Sequence, residues 1–399
     1  MKEYIYLLKH QELLRRLTLI QLVSYFGAWF SNVAIYTLLI EMHVSAGVIA
    51  FVAALYFLPG VIQAPLSGTL IDRLDPKKLM LSLLSIEIVS TFSLLFITDN
   101  STLWLLYILI FIRMGAASFY FTAEMSLLPK ILDHTVLRQA NEIHSIIWSF
   151  SYTVGMAISG FIVYLLGVKI AFILDGSLFL IGLFLLFTTP LHVSIQSSHE
   201  SVLKMMRKTF TYLKENKHIV HFMLIHSLVG LTSYDALVAL MVDKYYAPII
   251  ATALALGLIH AARAVGLVIG PIFLGKWIND KRVFYLFVFQ GLSLFIWAYT
   301  MKYFYLSLLA SVLVGFFTTT LWSYSYTLIQ HNTDKNYYGR VVAYNDMIFL
   351  LVASFTALFT GKLASKGVSL EMVLLYLGTA FFLSSLYYLW IYKKYLESK

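Results

Sequence analysis

The chain has no cysteine in 399 residues. Disulfide frameworks, thiolate metal sites, iron–sulfur clusters and cysteine nucleophiles are excluded with it. Charge is scarce as well: Asp, Glu, Lys and Arg together make up 12% of the chain, where a soluble domain carries about a quarter. A soluble fold of this length needs far more polar surface than that. No Gly-x-x-x-x-Gly-Lys-Ser/Thr loop occurs, so energy from a P-loop ATP site is excluded and any driving force must come from an ion or solute gradient. The eleven histidines include His192, His199, His218, His221 and His226 around the middle of the chain, and no carboxylate completes a metal-binding set among them. No metal and no cofactor is expected.

What is present is apolar. Hydrophobic residues make up 60% and aromatics 16%, and the mean hydropathy is +0.81. The excess must face lipid. A helix needs about 20 apolar residues to cross the hydrocarbon core. Runs of that kind, broken at charge clusters and Gly/Pro, fall at 17–41, 46–70, 78–98, 102–125, 143–166, 168–190, 218–242, 250–275, 283–301, 304–328, 341–362 and 370–392. They lack strict alternation, so the expected fold is all-α, with twelve transmembrane helices. Of the 29 Lys and Arg residues, 22 lie in the termini and in the loops on their side, and five in the opposite loops. The positive-inside bias then predicts a multi-pass protein of the inner (cytoplasmic) membrane with both termini cytoplasmic. Residues 1–16 read as a cytoplasmic leader to the first span, not a removed signal peptide. The net charge of +9 is spread over seven short segments. That pattern suits membrane lipid headgroups as partners and argues against nucleic acid.

The longest polar stretch, 191–217, carries Lys204, Arg207, Lys208, Lys214 and Lys217, with Val202, Met205, Met206, Phe210 and Leu213 at helical spacing. It predicts an amphipathic cytoplasmic helix between a six-helix half at 1–190 and another at 218–399. The halves echo each other. Gly68-Thr-Leu-Ile-Asp72-Arg73-Leu-Asp75-Pro76-Lys77-Lys78 follows span 2, and Gly275-Lys-Trp-Ile-Asn279-Asp280-Lys281-Arg282 follows span 8, with the glycines 207 residues apart. Arg138-Gln-Ala-Asn141-Glu142 is echoed by Arg340-Val-Val-Ala-Tyr-Asn345-Asp346 before spans 5 and 11. Duplicated halves around a midplane cavity are a transporter pattern.

The Gly-x-Leu-x-Asp-Arg-x-x-x-Lys-Lys stretch at 68–78 resembles the signature loop of the major facilitator superfamily. Leu128-Pro129, Leu137-Arg-Gln-Ala-Asn141, Gly155, Gly160, Gly167 and Gly339-Arg340-Val341 are similar to its drug, macrolide and siderophore exporter branch. Such exporters often carry Gly-Pro in span 5, where this chain has Gly155-Met156. The resemblance implies a gate built from Gly68, Asp72, Arg73, Lys77, Lys78, Asp280 and Arg340, with Asp72 packing against the start of span 11. It also implies that Arg113 matches a buried arginine linked to proton coupling.

Ionisable side chains inside a membrane usually face a cavity. Asp235 and Glu124 are the expected proton carriers, with Arg113 as tuning cation and Glu87 as a further member. Arg263, Asp175 and Asp346 are also intramembrane, and a fixed interhelical ion pair is the alternative for each. The substrate cavity is expected to draw on Tyr25, Asn32, Tyr36, Tyr120, Trp148, Tyr152, Arg263 and Trp322. Aromatic, mildly charged walls suit a bulky amphipathic molecule. The leading reading is therefore a proton-coupled secondary transporter, an antiporter for efflux of a drug, macrolide-like compound or siderophore, acting as a monomer. An importer or facilitator of a nutrient or metal chelate on the same fold is the alternative, and a membrane-embedded lipid-modifying enzyme stands further off, because no catalytic constellation stands out.

Overall fold

The computed structural model describes residues 2–71, 74–132, 134–191, 202–334 and 337–397. Among them, twelve helical spans are long and apolar enough to cross a membrane. Spans 1 to 6 are Glu12–Glu41, Ala46–Pro65, Pro76–Phe96, Asn100–Leu128, Ile146–Leu166 and Val168–Thr188. Spans 7 to 12 are Lys217–Tyr246, Thr252–Leu274, Asp280–Thr300, Phe304–Asn332, Tyr338–Ser365 and Leu370–Tyr395. The spans expected from the sequence are recovered in number and order. Lipid offers backbone groups no hydrogen-bond partner, so each N–H and C=O must be satisfied within the helix or by neighbouring protein. Short polar residues start the helices: Ser45, Asp75 and Ser369 accept from the backbone N–H three residues on, as N-caps do.

The chain forms two compact units, one from residues 1–42 and 66–199 and the other from 43–65 and 200–399. In the first, span 1 packs on spans 5 and 6, and span 3 packs on spans 4 and 6. In the second, spans 8 and 10 pack closely, spans 9 and 12 pair, and span 2 lies on span 11. Glycine permits the closest of these crossings. A Cβ on Gly266 or Gly270 would stand 2.0 or 1.9 Å from a carbonyl oxygen of span 10, and one on Gly315 would stand 2.1 Å from the Arg263 carbonyl. This is the small-residue spacing that lets membrane helices approach backbone to backbone.

Span 7 departs from the uninterrupted helix its hydropathy suggests. It runs as Lys217–Ser227, a 3-10 stretch Leu228–Thr232, a short helix Asp235–Met241 and a π turn Val242–Tyr246. It is also the most enclosed span, with 83% of its apolar window buried. The two facts belong together, since irregular backbone at membrane depth survives where protein surrounds it. The helix Val202–Glu215 precedes this span, within the stretch expected to form an amphipathic helix.

Candidate functional site

Span 4 places Arg113, Tyr120 and Glu124 on one face, seven and four residues apart. All are buried in the first unit: Arg113 is 4% exposed, Tyr120 3% and Glu124 0%. Arg113 donates through Nη2 to Asp175 Oδ2 of span 6 at 2.6 Å, and Ser31 of span 1 donates its hydroxyl to the same oxygen. The Phe179 ring lies 5.7 Å from the guanidinium carbon. Gly27, one turn before Ser31, leaves room for this carboxylate, since a Cβ there would stand 2.9 Å from Asp175 Oδ1. Glu87 of span 3, also buried, is within electrostatic reach of both Arg113 and Asp175.

Further along the same face, Glu124 Oε2 accepts from the Tyr25 hydroxyl at 3.2 Å, with Gln21 alongside. Its Oε1 has no hydrogen-bond partner among the described residues, nor has His144 Nδ1 of the neighbouring helix or the Tyr120 hydroxyl. The His144 ring stands edge-on to Tyr25 at 5.7 Å. Tyr120 is within electrostatic reach of both Glu87 and Glu124. Among the described residues the first unit thus holds a polar seam with three buried carboxylates, Glu87, Glu124 and Asp175, against one guanidinium, that of Arg113. Those four groups together are neutral when they carry two protons between the carboxylates. Spans 1 and 5 add aromatic rings: Trp29 lies 4.7 Å from Tyr152, and Tyr152 stacks on Trp148 at 5.6 Å. Trp148 is 42% exposed. Asn32 is buried with no partner for its Oδ1 among the described residues, and Tyr36 is buried one turn on.

In the second unit, the break in span 7 frees the Thr232 carbonyl, and Arg263 Nη2 of span 8 takes it at 2.9 Å. The guanidinium also lies 5.1 Å from the Tyr234 ring. Asp235 opens the helix after the break and, with Arg263, is within electrostatic reach of the buried His260. Asp346 accepts from the Asn345 side chain at 3.2 Å. Trp322 stacks on Tyr326 at 5.1 Å, and both rings stand edge-on to His226. His226 is fully buried and bonded to Ser325 at 2.9 Å.

Of the expected gate residues, Asp72 and Arg73 lie outside the described residues, and Gly68 falls in the helix Leu58–Ile71. Lys77 donates to the carbonyls of Phe187 and Thr189 at the end of span 6. Asp75 caps Lys78 N at 3.1 Å, and Asn279 caps Arg282 N at the same distance. Asp280 Oδ1 accepts from Tyr324 at 2.8 Å, and its carbonyl accepts from Tyr388 at 2.7 Å. Arg340 lies 5.2 Å from the Tyr337 ring. Sequence reasoning missed Ser31, Gln290 and the buried setting of His226. Gln290 was visible in principle, since it falls 203 residues after Glu87 in a chain whose halves repeat at about that interval.

Comparison with known proteins bears on what these features serve. The sequence model of the Major Facilitator Superfamily matches residues 17–245. The chain is 27% identical over 48% of its length to an MFS-type transporter, YfiS, of Bacillus subtilis (strain 168), spanning about half (46%) of that relative. It is 23% identical to macrolide efflux protein A of Streptococcus pyogenes, covering 87% of this chain and 88% of that one. Among solved structures, the POT family transporter PepTSo superposes with a TM-score of 0.75 at 11% identity, covering 97% of this chain and 99% of that one. The nucleoside transporter NupG superposes with a TM-score of 0.71 at 15% identity, over 96% of this chain and 99% of that one. At such identity these two speak for the fold. With twelve spans, a duplicated loop and a family match over more than half its length, the chain belongs to the Major Facilitator Superfamily and is a multi-pass membrane transporter, not an enzyme.

Proposed function

We propose that the protein exports an amphipathic small organic molecule in exchange for protons, with Glu124 as the carboxylate where proton and cargo compete. The observation that carries this reading is Glu124 itself. It is fully buried, one oxygen accepts from Tyr25, and the other has no partner among the described residues. An ionised carboxylate without a nearby cation is costly in such a place. A proton relieves the cost, and so does a cargo that donates a hydrogen bond or carries positive charge. The rings of Trp29, Trp148 and Tyr152 on spans 1 and 5 offer the apolar contact that an amphipathic cargo needs. Similarity to macrolide efflux protein A supports both the outward direction and a bulky cargo. The Arg113–Asp175–Glu87 group serves as a second protonation site on the same seam. Asp235, beside the break in span 7, is the corresponding candidate in the second unit.

The test is transport of erythromycin and a panel of fluorescent amphipathic dyes in proteoliposomes with an imposed pH gradient, for wild type, Glu124→Gln and Asp235→Asn. Proton-driven movement in the export sense should be lost in Glu124→Gln, while counterflow exchange driven by cargo alone is retained. Uptake in the import sense, or a Glu124→Gln protein that still responds to the pH gradient, rules the reading out. Loss of gradient-driven transport in Asp235→Asn alone moves the coupling site to the second unit.

A further inference from the structure

His226 is a buried imidazole with no part in the seam around Glu124. It is the next-to-last residue of the helix Lys217–Ser227, where span 7 passes into its 3-10 stretch. Its tautomer follows from its partner. The Ser325 hydroxyl lies 2.8 Å from the Leu321 carbonyl and 3.0 Å from that of Trp322. Carbonyls only accept, so the hydroxyl's one proton goes to them, and its oxygen accepts from His226 Nδ1–H at 2.9 Å. Nε2 is then a bare acceptor. It is buried and has no hydrogen-bond partner among the described residues, a state that costs free energy until a donor reaches it.

Three aromatic rings surround the imidazole. Those of Trp322 and Tyr326 on span 10 stand 5.4 and 5.3 Å from it, and that of Phe349 on span 11 stands 5.5 Å away. Gly230 permits this approach of span 11, since a Cβ there would stand 2.7 Å from the Phe349 carbonyl. Trp322 is 39% exposed, so the rings run from the buried imidazole to the accessible surface of the second unit. Negative charge joins them. Asp346 precedes Phe349 by three residues, on the same face of span 11, and is within electrostatic reach of Tyr326. Its hydrogen bond comes from the neutral Asn345 side chain, which does not cancel its charge. A bare acceptor, ring faces and a carboxylate all favour one group, an ammonium that carries a proton. We infer that His226, Trp322, Tyr326 and Asp346 form a subsite for the protonated amine of a cargo whose apolar ring lies along Trp322 and Tyr326. His226 Nε2 accepts from the N–H, and Asp346 supplies the opposite charge. Trp322, the exposed ring, turns aside to admit the cargo. The subsite lies wholly in the second unit; it rests on the export reading above and names that cargo a basic amine.

The experiment is equilibrium binding of radiolabelled probes to the full chain in detergent micelles at neutral pH, with no gradient imposed, so that coupling does not enter. The probes are N,N-dimethyl-naphthylethylamine, its N-trimethyl quaternary analogue, which has the charge but no N–H, and the neutral isopentylnaphthalene. Wild type should bind the amine saturably and at least about tenfold more tightly than the hydrocarbon. Asp346→Asn should weaken the amine and the quaternary cation alike, each about tenfold. His226→Asn keeps a donor for Ser325 and removes Nε2. It should weaken the amine about tenfold and the quaternary cation by less than about twofold, and His226→Gln, whose amide oxygen reaches the Nε2 position, should recover most of the loss. Equal loss of both cations in His226→Asn gives His226 a purely structural part and overturns the proposal. So does a wild type that binds the amine no better than the hydrocarbon, or an Asp346→Asn protein that binds it as wild type does. If Glu124→Gln alone loses the amine, the cargo's charge sits in the first unit and the subsite falls while the export reading stands. The expected pattern in a protein whose transport ignores the pH gradient keeps the subsite and overturns proton coupling instead. Should His226→Asn fail to fold, His226→Phe is read on the same criteria.

Discussion

The two units carry the same loop and different cores. At the entrance to spans 3 and 9, Asp75 and Asn279 make the same cap on the third residue after them, each at 3.1 Å. Half-way along those spans the units part. Glu87 is the twelfth residue of Pro76–Phe96 and Gln290 the eleventh of Asp280–Thr300; Arg113 is the fourteenth residue of Asn100–Leu128 and Thr318 the fifteenth of Phe304–Asn332. Where the first unit buries a carboxylate and a guanidinium, the second buries a neutral pair, with Thr318 Oγ1 donating to Gln290 Oε1 at 3.3 Å. The second unit shows that these helix pairs pack without charge. The charges of the first are therefore not a requirement of the architecture, and a buried ion pair is in any case poor at stabilising a fold. That contrast is the strongest argument for a functional role of the seam around Arg113.

The sharpest break of this comparison removes one partner. Arg113→Gln leaves Asp175 and Glu87 buried without their cation and should cost about 3–5 kcal/mol, read as a fall in unfolding temperature in micelles. Making the first core resemble the second, with Glu87→Gln/Arg113→Met/Asp175→Asn, should recover at least half of that loss while transport loses its response to a pH gradient. If the neutral triple variant is as unstable as Arg113→Gln, the charges are structural and the contrast between units carries no functional meaning. The next effect in size concerns spacing. In the second unit, Gly270→Ala forces a methyl group against a backbone carbonyl and should cost about 1–3 kcal/mol. In the first, Gly27→Ala meets side-chain atoms of Asp175 and Leu178, which can yield, so its larger effect should fall on pH response.

How far these features could be read from sequence depends on their range. The spans and the repeated loop were legible because hydropathy and charge act over contiguous residues: Asp75-Pro76-Lys77-Lys78 and Asn279-Asp280-Lys281-Arg282 announce themselves. The union of Arg113 with Asp175 was not, because it joins residues 62 apart through the register of two helices, and helical periodicity does not fix register between helices. The break in span 7 was hidden for another reason. Leu228-Val229-Gly230-Leu231 is as apolar as any intact helix, and what holds it open is the Arg263 guanidinium on the Thr232 carbonyl together with the close approach of span 11 to Gly230. Residue type and depth single out the candidate acids, Glu124 among them, but carry no information on how its two oxygens are partnered or on its bond from Tyr25.

The neutral core offers a smaller and complementary test. Thr318→Val keeps the volume and removes the hydroxyl that reaches Gln290. It should cost about 0.5–1.5 kcal/mol and leave gradient-driven transport intact. Loss of transport in Thr318→Val would mean that the Thr318–Gln290 pair takes part in coupling although neither side chain carries charge.

The smallest effect lies in the feature the units share. Asp75→Ala and Asn279→Ala each remove one cap and should cost about 1 kcal/mol, equal in the two units because the geometry is equal. The caps differ in charge, and that difference can be exchanged. A carboxylate at a helix N-terminus gains a few tenths of a kcal/mol, to about 1, over a neutral acceptor at low salt, and the gain fades as ions screen it. Asp75→Asn should thus lose a small, salt-sensitive increment, and Asn279→Asp should gain one, with the two variants converging on wild type above about 0.5 M salt, where the screening length falls to a few ångströms. Differential scanning of both variants at low and high salt reads this directly. Unequal losses in the two alanine variants would show that one loop holds more than its helix cap, and the first place to look is Lys77, which ties the start of span 3 to the last carbonyls of span 6.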